Sequence, residues 1–593
     1  MKEIKKQEVD ESFFWKIAVF DIETWGLNAN KFALGVVKWI SDFKDETHYK
    51  VDKKVFFNKN EMGEFLLTDT FAGYRIYSHN GGKFDLIGLY QNYLIDDRFD
   101  VLMSNGRLIS MTFKEKNITF LDSLNLFPMN LSTIGKSLRD EKFETPLKFI
   151  TGDDSQGITE KDIDYCIQDV DILLKAILYF QNLIYNQFHV NLRLTIASTA
   201  QRIWNTNFLN KSIKVSQLDR LFFRNSYYGG RTELIEGRGT EKFVYYHDFN
   251  SLYPSVMIDT RYPNPENLEY LNEIYTDIKY IMNYEGVSLV SIHIPNMVYP
   301  PLPYRLNGKL IFPVGNLTGW WNHNELRTAI KYGCEIKRIY KTIFSKDTVN
   351  YFKNYIEYFY NLRLKYKQEE NKMGNLITKL LMNSLYGKFA QLNENKKVGL
   401  IFEKPKKRKR GEWIFKPYKD SNWGVWELVD ENMKVIQSES YNNIILFSSY
   451  TTSAARVKLY EKVMETINKG GTVYYTDTDS IISNIFIEDS KELGKLKLEG
   501  TGIMKFYAPK AYIFRPESDK EEIIYKLKGV PNSIVKEEGF KDFYTFERII
   551  TPKQSLIRGL EVGNPVRETK FISNEDDKRV WHGDKSEPIK IDM

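Results

Sequence analysis

Cysteine is almost absent from this chain of 593 residues, which contains only Cys166 and Cys334. Two cysteines cannot form a framework of several disulfides or a zinc site made of cysteine ligands. The seven histidines are scattered and form no H-E-x-x-H motif, and the sequence has no G-x-x-x-x-G-K-S/T phosphate-binding loop. Disulfide-rich proteins, zinc peptidases and P-loop enzymes are therefore excluded as classes.

Long hydrophobic runs are missing as well. No stretch of about 18 apolar residues occurs, which argues against a membrane span. The charged start MKEIKKQEVDESFF lacks the apolar segment of a signal peptide. We therefore expect a protein of a reducing, cytoplasmic compartment that is not secreted.

The sequence does contain enough apolar and aromatic residues for several folded domains. Apolar residues make up 42% and aromatic residues 15% of the chain, which excludes disorder over its whole length. The length predicts roughly four domain-sized units. The formal net charge is only +6, and we expect the polar tail from about Ser573 onward to fray.

Apolar periodicity locates the main secondary structure. Residues 15–20, 74–78 and 243–249 have the short apolar runs of strands, and residues 163–180 and 356–389 have the repeat of helices. Residues 473–482 predict a hairpin with Asp-Thr-Asp near its tip. The alternation of strands and helices before residue 190 predicts an α/β domain.

Acidic residues in the N-terminal third form one candidate metal site. Asp21 and Glu23 follow an apolar strand and, being two apart, point to the same face. Asp85 follows another short strand, while Tyr165 and Asp169 share one face of a helix. Like charges this close repel unless a cation lies between them, and Mg²⁺ prefers oxygen ligands. Carboxylates with a tyrosine hydroxyl suit two-metal hydrolysis of a phosphodiester.

A second set of acidic residues lies nearer the C-terminus. Asp248 ends the strand FVYYH, and Asp477 and Asp479 follow the strand TVYY on one face of extended backbone. Nucleotide addition needs cations held by such carboxylates and a lysine that binds the triphosphate. Between the two segments, one helical face carries Lys379, Asn383 and Tyr386.

The second set resembles motifs A, B and C of family B DNA polymerases, which stand here as DFNSLYP, KLLMNSLYGK and YTDTDS. The resemblance implies that Asp248 and Asp479, helped by the Phe249 carbonyl, bind both metal ions, with Asp477 as a catalytic neighbour. It implies that Tyr253 is a steric gate that excludes a 2′-hydroxyl. The resemblance also implies that Lys367, Lys379, Asn383 and Tyr386 bind the dNTP. Lys372 is the alternative to Lys367.

The first set resembles the Exo I, Exo II and Exo III motifs of 3′–5′ exonucleases of the DEDDy type, in order and in internal spacing. The Gly81-Gly82 pair departs from this pattern, because many relatives carry a bulkier residue there. The resemblance implies Asp21, Glu23, Asp85 and Asp169 as metal ligands and Tyr165 as a catalytic residue. Lys148 matches the family's exonuclease lysine, although Thr151 stands where an apolar residue is expected. The single-stranded DNA contacts implied in this domain are Thr24, Asn80, Phe84, Ser123 and Leu124.

Two shorter motifs extend the resemblance. The segment Ser226–Gly230 resembles the Y-x-G-G motif, which implies that Tyr227, Gly229 and Gly230 bind DNA, with glycines that let the backbone approach it closely. The segment 510–512 resembles the K-x-Y motif, which implies that Lys510 and Tyr512 hold the primer terminus.

Nearly the whole chain resembles the protein-primed family B DNA polymerases of small linear-genome phages, viruses and plasmids. This implies an α/β and α+β multidomain fold, with an RNase H-like exonuclease domain followed by a right hand of palm, fingers and thumb with two insertions. The implied boundaries are residues 1–195 for the exonuclease domain, 196–258 for the first palm part and 259–355 for the first insertion (insertion 1). The fingers would span residues 356–393, the second insertion (insertion 2) 394–435, the second palm part 436–528, and the thumb with the tail 529–593.

The implied activity is replication of a linear DNA genome by a processive, strand-displacing DNA polymerase with a proofreading exonuclease, in the host-cell cytoplasm if viral. Mg²⁺, or Mn²⁺ in its place, would be the cofactor, with two ions per active site. DNA, dNTPs and a terminal protein that primes synthesis would be the partners of a monomeric chain.

Two other functions remain open. A nucleic-acid-primed family B polymerase would not transfer dAMP to a purified terminal protein. A non-catalytic DNA-binding scaffold with relic motifs is disfavoured, because every metal carboxylate of both motif sets is present. The basic run at residues 404–410 resembles a localisation signal but is more simply explained as a solvated loop near nucleic acid.

Overall fold

The structure is a computed structural model that describes residues 2–104, 107–155, 157–394, 396–406, 411–418, 422–439, 443–518, 521–572 and 576–592. Residues 407–410 of the basic run lie outside the described residues, so the interpretation of that run stays a prediction. Among the described helices, none combines the length and the apolar composition needed to cross a bilayer.

The N-terminal part is built around a seven-stranded sheet with the order β4-β3-β2-β5-β8-β7-β6. Strand β2 lies at its centre, antiparallel to β3 and parallel to β5, and the long helix α5 packs against β2 and β3. In chain order the elements are β1 (Lys2–Ile4), β2 (Ile17–Thr24), β3 (Phe32–Phe43), β4 (Tyr49–Phe56), α1 (Lys59–Phe65), β5 (Arg75–Ser78), α2 (Asp85–Leu89), β6 (Phe99–Ser104), β7 (Arg107–Phe113), β8 (Ile118–Asp122), α3 (Leu131–Leu138), α4 (Leu147–Thr151) and α5 (Glu160–Phe188).

The middle part contains elements of the predicted first palm part and a sheet that lies mostly in the predicted insertion 1. In chain order its elements are α6 (Ile196–Ile203), β9 (Ile213–Val215), α7 (Gln217–Phe222), β10 (Thr232–Leu234), β11 (Glu241–Phe249), α8 (Leu252–Asp259), β12 (Tyr262–Pro263), β13 (Glu269–Leu271), α9 (Lys279–Asn283), β14 (Glu285–Ile294), β15 (Tyr304–Leu306), β16 (Lys309–Ile311), β17 (Val314–Asn322), α10 (His323–Lys331), β18 (Glu335–Ser345) and β19 (Thr348–Val349).

The C-terminal part completes both sheets. Its elements are α11 (Lys353–Gln368), α12 (Lys372–Lys388), β20 (Leu392–Glu394), β21 (Lys396–Leu400), β22 (Glu412–Pro417), β23 (Trp423–Val429), β24 (Gln437–Glu439), α13 (Ile445–Asn468), β25 (Val473–Asp477), β26 (Ser480–Ser483), β27 (Leu496–Ala508), β28 (Ala511–Pro516), β29 (Ile524–Leu527), α14 (Asn532–Glu538), β30 (Phe543–Ile549), α15 (Pro552–Arg558), β31 (Pro565–Phe571), β32 (Arg579–His582), β33 (Lys585–Pro588) and β34 (Lys590–Asp592). The palm sheet has the order β10-β25-β26-β11-β27-β28-β29, and the sheet of insertion 1 has the order β13-β18-β14-β17-β34.

The predicted helices have ends set by local hydrogen bonds. Helix α5 begins earlier than its apolar repeat, because the side chains of Thr159 and Asp162 form a capping box around its first turn. The predicted helical stretch 356–389 is two helices rather than one. The side chain of Asn371 accepts a hydrogen bond from the Gly374 amide and starts α12 after the break.

The expectation that the polar tail frays is wrong for residues 576–592. Strand β34 pairs in parallel with β17 of insertion 1. The Arg579 side chain is fully buried, with a nitrogen 3.5 Å from the carboxylate of buried Glu233, which also pairs with Arg231 at 2.6 Å. Charged residues can be buried only with such partners. The charged residues of this segment therefore include members of a buried ion cluster, and the segment is ordered.

The region around Gly563 also contacts the N-terminal sheet. The Ala29 amide donates a 3.0 Å hydrogen bond to the Gly563 carbonyl, and the Asn30 side chain donates to the Val562 carbonyl at 3.0 Å. The Val562 side chain packs into the core of the N-terminal sheet. A side chain at Gly563 would lie 2.9 Å from Asn30 and Ile87, which explains the glycine. The N-terminal sheet and the region around Gly563 are therefore joined.

Two candidate metal-binding sites

The first site lies where β2 ends beside α2 and α5. Asp21 and Glu23 project from β2, and donor atoms of both lie with Cys166 Sγ within 4.8 Å of one another. Asp85 starts α2 and accepts a 3.2 Å hydrogen bond from the Ile22 amide, which ties it to the same strand. Asp169 on α5 completes the cluster and is 5% exposed. The structure therefore brings the four predicted carboxylates together.

The electrostatics of this cluster are unfavourable for four ionised carboxylates. Burial and the charge of Asp169 raise the pKa of Asp21 to about 7. Burial and the neighbouring Asp21 raise the pKa values of Glu23 and Asp85 well above their ordinary range. Asp169 Oδ1 is buried without a hydrogen-bond partner among the described residues. Such a set of oxygens fits a divalent cation, since a cation would relieve the repulsion and satisfy the unpartnered oxygen.

Lys142, and not the predicted Lys148, contacts the carboxylates of this site. The Lys142 ammonium contacts the Asp169 carboxylate and donates a 2.7 Å hydrogen bond to Tyr165 Oη. Lys148 instead pairs with Asp162 at 2.5 Å and donates to the Gly157 carbonyl at 2.7 Å. The physical reason is position: Lys148 lies on α4, which faces the start of α5, whereas Lys142 lies in the irregular segment before it. The motif resemblance pointed only to Lys148.

The residues predicted to bind single-stranded DNA lie around the mouth of this site. Asn80 is exposed in a left-handed turn and Phe84 is half-buried. Thr24 is only 3% exposed, and its hydroxyl donates to the Gly26 carbonyl. Ser123 is fully buried against His79, with 2.9 Å between Oγ and Nδ1, and Leu124 is half-buried beside it. The structure thus brings Asn80, Phe84 and Leu124 to the surface and gives Thr24 and Ser123 internal contacts.

Asp122 is a positioning residue that sequence reasoning missed. Its carboxylate accepts hydrogen bonds from the amides of Asn80, Gly82 and Leu124. It therefore connects the turn before Asp85 with the end of β8. The place of Asp122 at the end of a strand is the only signal of this role in the sequence.

The unusual glycine pair beside Asp122 is explained by close packing. A side chain at Gly81 would lie 1.7 Å from Ser78 Oγ, and one at Gly82 would lie 2.7 Å from the Leu108 side chain. Both positions therefore exclude the bulkier residue that the exonuclease pattern led us to expect.

The second site lies at the end of β11, beside the hairpin of β25 and β26. Asp248 pairs in register with Ser480, and the Phe249 amide donates a 2.8 Å hydrogen bond to the Asp479 carbonyl. Burial, then the charge of Asp479, raise the pKa of Asp248 to about 7, and burial raises the pKa of Asp479. Asp248 Oδ1 is buried without a partner among the described residues. This pair therefore also fits a divalent cation.

Asp477 has a different environment from its two neighbours. Lys510 Nζ lies 2.8 Å and 2.9 Å from its two oxygens, and Thr232 Oγ1 donates to it at 2.9 Å. Both oxygens are therefore engaged by protein groups, and Asp477 positions the predicted primer lysine. Tyr475 reinforces this arrangement, because its hydroxyl accepts a 3.0 Å hydrogen bond from the Lys510 amide. Tyr512 packs beside Tyr475, with ring centroids 5.9 Å apart.

The Y-x-G-G segment packs against the tip of this hairpin. A side chain at Gly230 would lie 2.8 Å from the side chain of Thr478, so Gly230 is needed for internal packing. A side chain at Gly229 would meet no atom within 4 Å, so internal packing does not explain this glycine. The close approach of DNA to Gly229 stays a prediction. Arg456, a residue that no motif indicated, donates to the carbonyls of Tyr228 and Gly229 at 2.6 Å and 2.9 Å.

The helices α11 and α12 face the second site. Lys379 is exposed on α12, and its charge lowers the pKa values of Asp248 and Asp479 against the stronger effect of burial. Lys367 and Lys372 are not distinguished by their contacts, so the choice between them stays a prediction. Arg363 on α11 reaches Ser251 Oγ at 3.3 Å, beside motif A. It is a further cation near this site that the motifs did not indicate.

Tyr253 and Tyr386 form a stacked pair beside the carboxylates. Their ring centroids lie 4.3 Å apart with planes at 17°. The pair joins α8, which begins within motif A, to α12, which carries motif B. Asn383 is half-buried on α12 one turn before Tyr386. The predicted nucleotide-binding residues Tyr253, Asn383 and Tyr386 are thus in one place.

The comparison with known proteins agrees with this geometry. Residues 141–469 match the family described as DNA polymerase type B, organellar and viral. The chain belongs to this family. The phi29 DNA polymerase structure has a TM-score of 0.70 at 18% identity, and the match covers 94% of this chain and 100% of that one. The prediction of a family B DNA polymerase is confirmed, and the predicted α/β and α+β multidomain fold is confirmed by the match to this structure.

Curated relatives come from fungi and from phages. A probable DNA polymerase of Ascobolus immersus is 27% identical over 547 residues, 81% of this chain and 44% of that protein. The DNA-directed DNA polymerase of Enterobacteria phage PRD1 is 28% identical over 438 residues, 72% of this chain and 70% of its own length. The DNA polymerase of Streptococcus phage Cp-1 is 24% identical, and the match covers 97% of both chains. The chain spans about half the length of the fungal relatives it matches.

We predict that Asp21→Asn stabilises the metal-free protein at neutral pH. The folded pKa of Asp21 is about 7, above its usual 3.8, so the folded state holds the proton more tightly than the unfolded chain. Stability that this group contributes is present at low pH and is lost as pH rises through about 7. In EDTA the variant should therefore melt a few degrees above the wild type at pH 8, and the difference should shrink at pH 5.

The control is the exposed pair Lys590–Asp592 on the last strand. Asp592→Asn should leave the melting temperature close to that of the wild type at both pH values. If Asp21→Asn lowers the melting temperature at pH 8, the carboxylate repulsion inferred for this site is absent.

Proposed function

We propose that the chain is a DNA-directed DNA polymerase that replicates a linear DNA genome and carries a 3′–5′ proofreading exonuclease. The observation that carries this proposal is the presence of two separate carboxylate clusters, each with a buried unpartnered oxygen, on Asp169 and Asp248. Their place in a chain of the type B DNA polymerase family gives them distinct roles. The buried, unpaired cysteines suit a reducing, cytoplasm-like compartment.

The polymerase site would work through groups that surround Asp248 and Asp479. These two carboxylates, with the Phe249 carbonyl, would hold Mg²⁺ or Mn²⁺. When bound, two such ions neutralise phosphate charge and lower the pKa of the attacking hydroxyl. Exposed Lys379 would bind the triphosphate, with Lys367 or Lys372 beside it. Lys510 would hold the primer terminus, kept in place by Asp477.

The aromatic pair gives a physical basis for sugar selection. Tyr253 stacks on Tyr386, so its ring cannot swing away without losing that contact. A 2′-hydroxyl on an incoming nucleotide would then clash with the ring, whereas a deoxyribose would fit. Asn383, one turn earlier on the same helix, would contact the same nucleotide.

The exonuclease site would use Tyr165 and Lys142 around its four carboxylates. Burial raises the pKa of Tyr165, so its hydroxyl keeps its proton and can orient a water molecule by a hydrogen bond. Lys142 would hold Tyr165 and Asp169 in place through its contacts to both. Asn80, Phe84 and Leu124 would receive the unpaired 3′ end, where base stacking on Phe84 needs no particular sequence.

Processive, strand-displacing synthesis is supported by a large cleft and by the joined ends of the chain. The cleft, of about 1470 Å³, lies among the exonuclease sheet, the end of α12, insertion 2 and α15 of the thumb. Its basic side chains outnumber the acidic ones, as a path for a DNA strand requires. The contact of Gly563 with Ala29 joins the predicted thumb to the N-terminal sheet. The basic lining residues are Arg75, Lys114, Arg193, Arg202, Lys388, Lys396, Lys397 and Lys553, and the acidic ones are Asp96, Asp97, Asp100 and Glu403.

Priming by a terminal protein is supported by the folded insertion 1, whose sheet β13-β18-β14-β17-β34 contacts α13 of the predicted second palm part through β17. We expect the chain, acting as a monomer, to transfer dAMP to a tyrosine, serine or threonine hydroxyl of its purified terminal protein in Mn²⁺ or Mg²⁺. Labelled protein after incubation with labelled dATP checks this. Extension of DNA primers without any such transfer would favour the nucleic-acid-primed alternative.

The two activities should separate in single variants. Asp479→Ala should lower extension of a labelled primer by about 10³-fold or more, because a metal ligand supplies several kcal/mol of stabilisation in the transition state. It should leave digestion from the 3′ end in the absence of dNTPs. Asp21→Ala should do the reverse, and a sequencing gel of both reactions measures it. Loss of both activities in each folded variant would contradict two sites.

Two lysines provide a matched comparison in the same assay. Lys142→Met should lower digestion by about 10–100-fold, the usual cost of losing a group that orients metal ligands. Lys148→Met, which removes the same charge a short distance away, should lower it much less. The reverse order would restore Lys148 as the exonuclease lysine.

A further inference from the structure

Lys510, the residue assigned to the primer terminus, is held by one strand of the palm sheet, β25. Its ammonium lies 2.8 Å and 2.9 Å from the two oxygens of Asp477, and its amide donates to Tyr475 Oη at 3.0 Å. Lys510 has a φ of 64°, a left-handed conformation that a residue with a side chain keeps only where its surroundings impose it. The position of β25 therefore determines where the primer terminus would be held.

Strand β10 is the outer neighbour of β25 and forms one edge of the palm sheet. It has only three residues, and Thr232 on it pairs in register with Asp477. The Thr232 hydroxyl donates a 2.9 Å hydrogen bond to Asp477 Oδ1. An edge strand has one side that no further strand pairs, so the groups that cover β10 decide how firmly Asp477 is held.

Lys578, near the C-terminus, reaches this edge strand from outside the sheet. It is half-buried, and its ammonium donates a 2.9 Å hydrogen bond to the carbonyl of Thr232, the residue whose hydroxyl holds Asp477. Burial lowers the pKa of Lys578. The negative charges of Glu233, Asp576 and Asp477 oppose this effect and favour the ammonium. Lys578 is therefore linked to Asp477 by a hydrogen-bonded path and by charge.

The hairpin of β32 and β33 keeps Lys578 in place. Arg579, the first residue of β32, is buried with a nitrogen 3.5 Å from the Glu233 carboxylate, and it donates to the Val298 carbonyl at 2.9 Å. Ser586 on β33 donates to the Ile235 carbonyl at 2.6 Å, just beyond the end of β10. Lys578 thus precedes a hairpin that is attached to the palm through buried groups.

We infer that Lys578 is a positioning residue of the polymerase site. Through Thr232 it fixes Asp477, and Asp477 in turn holds Lys510 where the primer terminus binds. Segment 576–592 thereby affects how a primer is divided between extension and digestion. This inference rests on the proposed polymerase function, because it needs a primer terminus bound at Lys510.

The test measures the dNTP concentration at which a labelled primer–template changes from digestion to extension. A primer terminus that is held less firmly at the polymerase site spends more time at the exonuclease site, so more dNTP is needed. Lys578→Met removes the ammonium and should raise this concentration by about tenfold, the usual effect of losing one hydrogen bond to a charged group. Digestion of single-stranded DNA should keep the wild-type rate, which also shows that the variant is folded.

Three further variants separate positioning from a general structural role. Lys578→Arg keeps a cation and a donor and should restore most of the wild-type behaviour. Thr232→Val removes the hydroxyl that binds Asp477 without changing the C-terminal segment, and it should also raise the dNTP requirement. Lys585→Met, at an exposed lysine on β33 of the same hairpin, should behave as the wild type.

A double-mutant cycle separates an action through Lys510 from a direct contact of Lys578 with DNA. Fluorescence of 2-aminopurine at the primer 3′ end, in EDTA to prevent digestion, measures the ratio of paired to unpaired termini on the full chain. Lys578→Met should lower this ratio by about tenfold in the wild-type background and by less than about twofold in the Lys510→Ala background. An equal loss in both backgrounds would overturn the inference.

The remaining outcomes are distinguishable. If the wild type extends primers and either Lys578→Met or Thr232→Val changes to extension at the wild-type dNTP concentration, the inference fails and the proposed function stands. If Lys578→Arg is as impaired as Lys578→Met, the cation is not the cause and the inference also fails. If the wild type neither binds nor extends a primer–template, the proposed function itself is contradicted.

Discussion

The structure depends on holding like-charged carboxylates close together, where protein cations compensate only part of the charge. Asp21, Glu23 and Asp85 have raised pKa values because they are buried beside one another, and Asp248 and Asp479 repeat the arrangement in the palm. Such clusters cost folding free energy, which a bound cation would offset. Each sheet must therefore be rigid enough to impose them.

In both clusters the carboxylates lie at strand ends and are held in place by hydrogen bonds with neutral groups. In the exonuclease domain, the amide of Ile22 fixes Asp85, and Asp122 fixes the turn in front of it. In the palm, the Phe249 amide joins motif A to motif C. The cations that the structure describes near the clusters lie beside them, apart from Lys142, which contacts Asp169.

Motif spacing predicted the carboxylates, because strand and helix periodicity determine which side chains share a face. It could not predict Lys142, since that residue lies in an irregular segment whose path depends on tertiary packing. Gly230 was assigned to DNA approach, whereas its contact with Thr478 is visible only when two distant segments meet. The ordered tail was missed for a similar reason, since the charge of Arg579 looks solvated until its partner Glu233 is known.

Whether both carboxylate clusters are metal sites is decided by the binding of Mn²⁺, followed by electron paramagnetic resonance at pH 8. The wild type should bind Mn²⁺ at two independent groups of sites. Asp85→Asn should remove one group and Asp248→Asn the other, while the double variant should bind neither. If either single variant binds as many ions as the wild type, that cluster is not a metal site, and cation binding does not explain its buried carboxylates.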